Sequence, residues 1–515
     1  MITATPAANR QRRRPFQLAP LAGAVLASTA LAEPLVIQPS VDVLESYVHQ
    51  TNVPGTTSFG SQTREWVTQV SPGLKVNARG NNSLVQGDVK ADAYYYSKKT
   101  RPNQVIPTGQ LLGRTESHDT GLGIEAAWSA RQEPDLYAGN SDSGLIQRGY
   151  STTEWRLSPF LDHKLSAETT VKARVDQSWV HSNRIGSNTP DRPDTQVTTG
   201  QASLDRRPVP FGYEIGANHQ TTHVTGQSDP VLTQSIGRAK GLYALTPDLI
   251  VGALIGRESD KVLLDSYNDS VHGWLLRWTP EERTLLDAQV ERRFFGQAWQ
   301  VNASHRMPWL AFSGTFNRVA TTYASSLGTV AQGSTVRDLF DSMLTTYIPD
   351  PAERAKAVDD IITTKKLTTS VNGIRDIYNL NAQLRKEASG RMVVMGRRNT
   401  LTLTAGRIDA EPLTASVALL TAASTSRQYF FYSELNHLLT PTSRLIANLR
   451  WNRLNNSTVG QPYEFARSFS WSTAYSTDLA PRTSATFGLR RQISHSTKTG
   501  DSDESAAFAG LGYRF

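Results

Sequence analysis

At 515 residues the chain is long enough for three or four ordinary soluble domains, yet only 38% of it is hydrophobic, less than a stack of such domains carries. Its 10 Trp, 17 Tyr and 16 Phe exclude a disordered chain. The formal net charge of +8 is too mild over this length for a nucleic-acid partner.

Residues 1–32 read as a secretory signal peptide. Arg10, Arg12, Arg13 and Arg14 make a positive start, Leu18 to Leu31 is a short apolar stretch, and Ala30-Leu31-Ala32 is a small-x-small cleavage site. The apolar run is too short and too rich in alanine for a transmembrane helix. Removing its four arginines leaves a mature charge of about +4. The chain has no cysteine, which suits an oxidising compartment and a fold that needs no disulfide staple.

From residue 33 onward the pattern is strand, turn, strand. In Leu84–Tyr96, Val85, Val89, Ala91, Ala93 and Tyr95 share one face, and Gln86, Asp88, Lys90 and Asp92 the other. In Thr170–Val180, Val171, Ala173, Val175 and Trp179 oppose Lys172, Arg174 and Asp176. In Leu285–Phe294, Leu286, Ala288, Val290 and Phe294 oppose Asp287, Gln289, Glu291 and Arg293; in Leu445–Trp451 the apolar set opposes Asn448 and Arg450. This is period-two alternation. A water-soluble sandwich alternates too.

Aromatics near the ends of the apolar faces favour a membrane barrel: Tyr94–Tyr96, Trp128, Trp179, Phe294–Phe295 and Trp451. So does the alternation of short Pro-bearing turns (at residues 245–248, 279–282, 439–442 and 480–482) with long polar loops at 98–117, 182–195, 258–268, 455–461 and 496–505. One face apolar and one polar also keeps bulk hydropathy low. About twenty-one strands are legible, and the weak segment Arg131–Gln147 supplies one more. The predicted fold is all-β: a transmembrane antiparallel up-and-down β-barrel of about 22 strands (about 18 to 24 allowed), with both ends on the periplasmic side.

One stretch breaks the alternation. Residues 334–366 read as two short helices. Val336, Leu339, Phe340, Met343, Leu344 and Tyr347 recur at helical spacing. Asp350 caps a second helix with Pro351 at its first position and Glu353 three residues after the cap; Ala355, Val358, Ile361 and Ile362 give it an apolar stripe. An apolar stripe must be buried, so this insert either enters the lumen or caps the mouth. At the end, Leu511, Tyr513 and Phe515 share one strand face and form an expected assembly signal for barrel-assembly machinery.

Several stretches resemble the outer-membrane β-barrel family associated with PEP-CTERM/exosortase systems: Arg283–Arg306, the insert around Asp350–Ala355, Gly396–Arg407 and the early strand Gln69–Leu74. The resemblance implies a Gram-negative outer membrane, after signal-peptide cleavage, in an envelope that makes exopolysaccharide and sorts surface proteins. It implies polysaccharide or periplasmic export proteins as partners beside outer-membrane lipid. It implies no defined biochemical activity.

No phosphate-binding Gly-Lys-Ser/Thr loop, His-Glu-x-x-His or Gly-x-Ser-x-Gly occurs; residues 139–144 come nearest the last with the wrong spacing. The ten His are scattered, and Asp501–Glu504 reads as a solvated loop rather than a Ca²⁺ site. No catalytic, metal or cofactor-binding residue is assigned, and an enzyme is not expected. Asp88, Lys90, Asp92, Lys172, Arg174, Asp176, Asp287, Glu291, Arg293 and Arg450 are the candidate lumen-lining residues. They either pair and rigidify the interior or orient a hydrophilic polymer in a conduit.

Overall fold

The computed structural model describes residues 36–51, 62–80, 82–100, 102–134, 149–185, 192–331, 379–413, 424–458, 460–498 and 500–515, with single positions between 340 and 361. The expected signal peptide lies outside them.

The strands are β1 (Val36–Thr51), β2 (Gln62–Arg79), β3 (Ser83–Tyr96), β4 (Gln104–Glu116), β5 (Leu122–Pro134), β6 (Gly149–Lys164), β7 (Thr169–Ile185) and β8 (Thr195–Arg206). There follow β9 (Phe211–Val224), β10 (Leu232–Thr246), β11 (Leu249–Val262), β12 (Asp265–Glu281), β13 (Thr284–Arg293), β14 (Gly296–Met307) and β15 (Leu310–Thr321). After a helix, α1 (Tyr323–Ala331), come β16 (Gln383–Met395), β17 (Asn399–Pro412), β18 (Ser424–Leu438), β19 (Ser443–Thr458), β20 (Glu464–Ala480), β21 (Thr483–Ser496) and β22 (Gly500–Arg514). Each pairs antiparallel with the next, and β22 pairs back onto β1, from Ser40↔Arg514 to Thr51↔Asp503. The 22-stranded sheet is therefore closed and has no free edge.

Period-two alternation now has a geometric meaning. Trp66, Val105, Val175, Ile255, Trp274, Phe316, Trp471, Phe487 and Leu511 are exposed, and register places them on one face of the closed sheet. The opposite face carries Ser, Thr, Asn and charged side chains. A closed sheet with an apolar outside and a polar inside is a transmembrane β-barrel. Among the described residues no helix is long and apolar enough to cross a bilayer.

All four Pro-bearing turns fall on the rim that also holds Val36 and Arg514, the terminal rim. The opposite, far rim differs from expectation. Residues 104–116 are β4, not loop; β11 and β12 are joined by Leu263-Leu264 alone; β19 and β22 extend into the predicted loops. The charged residues of β11, β12 and β22 at these positions belong to strand ends that rise above the apolar belt. Asp501–Glu504 is likewise strand: Asp503 pairs with Arg491 at 2.7 Å and Glu504 with Arg490 at 2.7 Å. Of the expected strand Arg131–Gln147, Arg131–Pro134 ends β5 and the rest lies outside the described residues; β4 makes up the count.

Two strand prolines leave matching gaps. The β2–β3 register skips from Val70↔Ala93 to Gly73↔Lys90 at Pro72, and the β6–β7 register from Leu157↔Gln177 to Phe160↔Arg174 at Pro159. Proline has no N–H to give the ladder. The serine before each proline turns its hydroxyl to an aspartate instead, Ser71 to Asp92 at 2.6 Å and Ser158 to Asp176 at 2.5 Å.

Face assignment is open to direct test. Val89 faces outward near the middle of β3 and Gln86 faces inward. Val89→Arg is expected to destabilise the inserted barrel by about 2–4 kcal/mol if it lies at the bilayer midplane, and Gln86→Arg to be tolerated. Urea titration in lipid vesicles measures both; equal tolerance would reverse the inside and outside assigned to β3.

Candidate functional site

The lumen is the candidate site, and the segment between β15 and β16 enters it. β15 ends at the far rim with Thr321. The next residue caps α1: the Ser325 N–H donates to the Thr322 hydroxyl at 3.3 Å, and the Thr322 N–H to the Ser325 hydroxyl at 3.0 Å. This reciprocal pair is a capping box with serine in the usual glutamate place. Sequence reading began the insert at residue 334 and missed α1; the Thr322-x-x-Ser325 spacing was its signal.

α1 does not stay with its own strand. Tyr323, Ala324 and Leu327 bury themselves against Val180 of β7 and Val197 of β8, and the Thr322 and Thr222 hydroxyls lie 3.2 Å apart across the mouth. Arg192 fastens the contact. It donates to Glu133 at 2.7 Å and to the Tyr323 hydroxyl at 3.3 Å, with its guanidinium 3.6 Å from the centre of the Tyr150 ring. Burial, then the Glu133 carboxylate, pushes the Tyr323 hydroxyl well above its usual range, so it stays neutral.

Farther along, Phe340, Leu344, Arg354, Ala357, Val358 and Ile361 are helical. Phe340 and Val358 are fully buried, packed with Ala311 of β15 and Val393 of β16, with Leu344, Ile361 and Met395 around them. Ala311 and Val393 are register partners on the inward face, one step from the outward pair Phe312 and Met392. They stand at the terminal rim: Ala311 is the second residue of β15. About 33 Å of strand separates it from Thr321, at roughly 3.3 Å per residue. The described residues of the segment thus reach both rims, α1 the far one and Phe340 and Val358 the terminal one. Val336, Leu339, Met343, Tyr347, Asp350, Pro351, Glu353, Ala355 and Ile362 lie outside the described residues.

All ten candidate lumen residues occupy inward register positions, and most are paired along the wall. Lys90 meets Asp42 at 3.0 Å. Asp92 accepts from Ser71, from Gln69 at 3.1 Å and from Thr108 at 3.1 Å. Arg174 bridges Glu125 at 2.9 Å and Asp176 at 2.7 Å. Asp287 takes Arg277 at 2.8 Å. Glu291 takes Arg238 at 2.6 Å, while Arg293 pairs with Glu258. Arg450 lies over the Tyr432 ring at 5.0 Å. Asp88 and Lys172 are exposed. The sequence named the charges but missed their partners Asp42, Glu125, Arg238 and Glu258, which come from strands it did not align.

Two expectations about aromatic residues are corrected. Tyr94 and Tyr96 are buried on the inward side with Val48, Val67 and Ile106, and only Tyr95 faces outward. Phe294 is a turn residue stacked on Tyr267 at 5.0 Å, not part of a lipid-facing girdle. Among the described residues His219 lies 2.8 Å from Ser235, and its second ring nitrogen meets the Thr221 hydroxyl rather than a carboxylate; His181 with Asp194 at 2.5 Å and His495 with Asp501 are exposed His–carboxylate pairs at the far rim. The described residues hold no metal-ligating group of three or more. Leu511 and Tyr513 face outward on the closing strand, with the Phe515 ring 4.9 Å from Tyr513.

No protein-family model matches the chain, and no curated protein sequence matches it. Among solved structures it is similar to the outer membrane protein OpdK of Pseudomonas aeruginosa, 9% identical over 93% of this chain and 99% of that one, with a TM-score of 0.36. A mutant ferric enterobactin receptor, PfeA, of the same organism is 9% identical over 92% and 81%, with a TM-score of 0.45. The siderophore receptor PirA of Acinetobacter baumannii is 9% identical over 93% and 80%, at 0.44.

Proposed function

We propose that this protein is an outer-membrane conduit held shut by its own residues 322–382, with the far rim facing outward. One observation carries the reading: Phe340 and Val358 are buried on Ala311 and Val393 at the rim opposite the segment's entry. A barrel this wide encloses space that side chains alone do not fill, and in transporters of this strand number a plug fills it. The wall charges are largely neutralised in pairs, which suits passage of a hydrophilic polymer without strong preference for anions or cations. The chain has no nucleotide-binding motif, so driving energy comes from elsewhere.

The resemblance to the PEP-CTERM/exosortase-associated barrels adds the cargo we propose: exopolysaccharide or a secreted protein. Planar-bilayer conductance tests the whole reading. The full barrel is expected to carry little current, and a variant lacking residues 334–366 a large steady one that added exopolysaccharide fragments reduce. No current from either protein would remove the conduit and leave a docking barrel whose far-rim loops anchor surface polymer. A current indifferent to the fragments would remove polysaccharide as cargo.

A further inference from the structure

Four arginines stand on the outward face near the far rim: Arg407 on β17, Arg427 on β18, Arg453 on β19 and Arg467 on β20. Register sets Arg407 beside Tyr429, Tyr429 beside Arg453, and Arg453 directly opposite Arg467. Arg407 and Arg427 share Asp409, each at 2.7 Å. Arg453 and Arg467 are different. Both are exposed; Arg453 lies 5.4 Å from the Phe465 ring centre. Among the described residues neither has a carboxylate partner.

Like charges directly opposite on neighbouring strands repel and destabilise the pair. This pair also sits at a particular depth. The next outward positions toward mid-membrane are Trp451 and Phe469, themselves register partners and exposed. Aromatics of that kind mark the edge of the hydrocarbon. The two guanidinium groups are therefore one step above the oil, at the level of lipid headgroups.

We propose that Arg453 and Arg467 together bind the phosphate of a phosphorylated glycolipid in the outer leaflet. Each planar guanidinium presents a donor fork that matches phosphate oxygens. An anion between them would turn a repulsive pair into two charge-assisted contacts, while the acyl chains lie on Trp451 and Phe469. The patch stays positive: four arginines stand against Asp409 and, across Arg467's other register partner His495, Asp501. The inference rests on the membrane placement and orientation of the barrel and not on transport, so a barrel that carries no current leaves it standing.

Native mass spectrometry of the intact barrel in detergent tests it, with a bisphosphorylated glucosamine lipid and the same lipid stripped of its phosphates as probes. The wild-type protein is expected to retain the phosphorylated lipid and to discriminate against the stripped one. R453Q/R467Q is expected to bind the phosphorylated lipid about tenfold more weakly. In lipid-free detergent the variant is expected to melt no lower than wild type, since its loss removes repulsion; that separates lost binding from lost fold. Equal retention of the phosphorylated lipid by both proteins overturns the proposal. So does equal retention of the two lipids by wild type, or displacement of the lipid by inorganic phosphate at the same concentration, which would mark a free-anion site.

Discussion

Phe340→Ala is expected to open the pore of the full-length protein more than any other single change in the segment. Phe340 is fully buried where the segment meets the terminal rim, and its neighbours Ala311 and Val393 belong to the wall. Truncating the ring removes apolar burial and leaves a hole that rigid strands cannot close. The cost to the lodged state is about 2–4 kcal/mol. A displaced segment loses little by the same change, because its ring is already in water. The ratio of displaced to lodged protein therefore rises by roughly 30- to 1,000-fold, visible as more frequent openings in planar bilayers. Val358→Ala is expected to act in the same direction and less strongly, and the two not to add, since they share one cluster. Ala311→Asp attacks the contact from the wall side by placing a carboxylate beneath both side chains. If openings stay as rare in all three variants while the barrels remain folded, the segment is not held by this cluster.

The barrel was legible in the sequence because membrane strands write their two environments into alternate residues. The inward set of β3, Gln86, Asp88, Lys90 and Asp92, could be read without knowing a neighbour. What failed was local information about where a strand ends. Above the apolar belt both faces of a strand meet water, so alternation stops while hydrogen bonding continues. Hence residues 258–268 looked like a loop where β11 and β12 turn within two residues; β4 hid for another reason, since Pro107, Gly109 and Gly113 interrupt its alternation although it pairs with β3 from Gln104 to Thr115. Tyr94 and Tyr96 failed for a related reason: an aromatic triplet in a strand must split between faces, and the inward pair fits a narrow space lined by Val48 and Ile106. Phe340 and Val358 were legible as helical, but their partners Ala311 and Val393 were not. An alanine and a valine near strand ends carry no mark that something will be packed on them. α1 hid because its cap uses serine where glutamate is the usual sign.

Removing the carboxylate of Glu291 is expected to be a strongly damaging change on the lumen wall. Glu291 accepts from Arg238 at 2.9 and 2.6 Å and from Gln289 at 3.1 Å, and Arg293 lies 3.5 Å away. Its side chain is 6% exposed and that of Arg238 is 22% exposed, so water restores little of what is lost. Arg293 keeps Glu258, whereas Arg238 has no other carboxylate among the described residues. Glu291→Ala therefore leaves a half-buried guanidinium without its charge partner, at about 2–4 kcal/mol, somewhat below the range for a wholly buried pair. The companion change separates the lost pair from lost packing. Replacing Arg238 and Glu291 together by methionine removes both charges and keeps most of the volume, which is expected to recover most of the loss. Asp287→Ala is the contrast: its partner Arg277 is 58% exposed, and an exposed pair contributes under about 1 kcal/mol. The unfolding temperature, read from the gel mobility of heated and unheated barrel, ranks all three. A double variant as unstable as Glu291→Ala would mean that the orphaned guanidinium is not the source of the loss, and an Asp287→Ala loss of equal size would mean that burial does not set what a wall pair contributes.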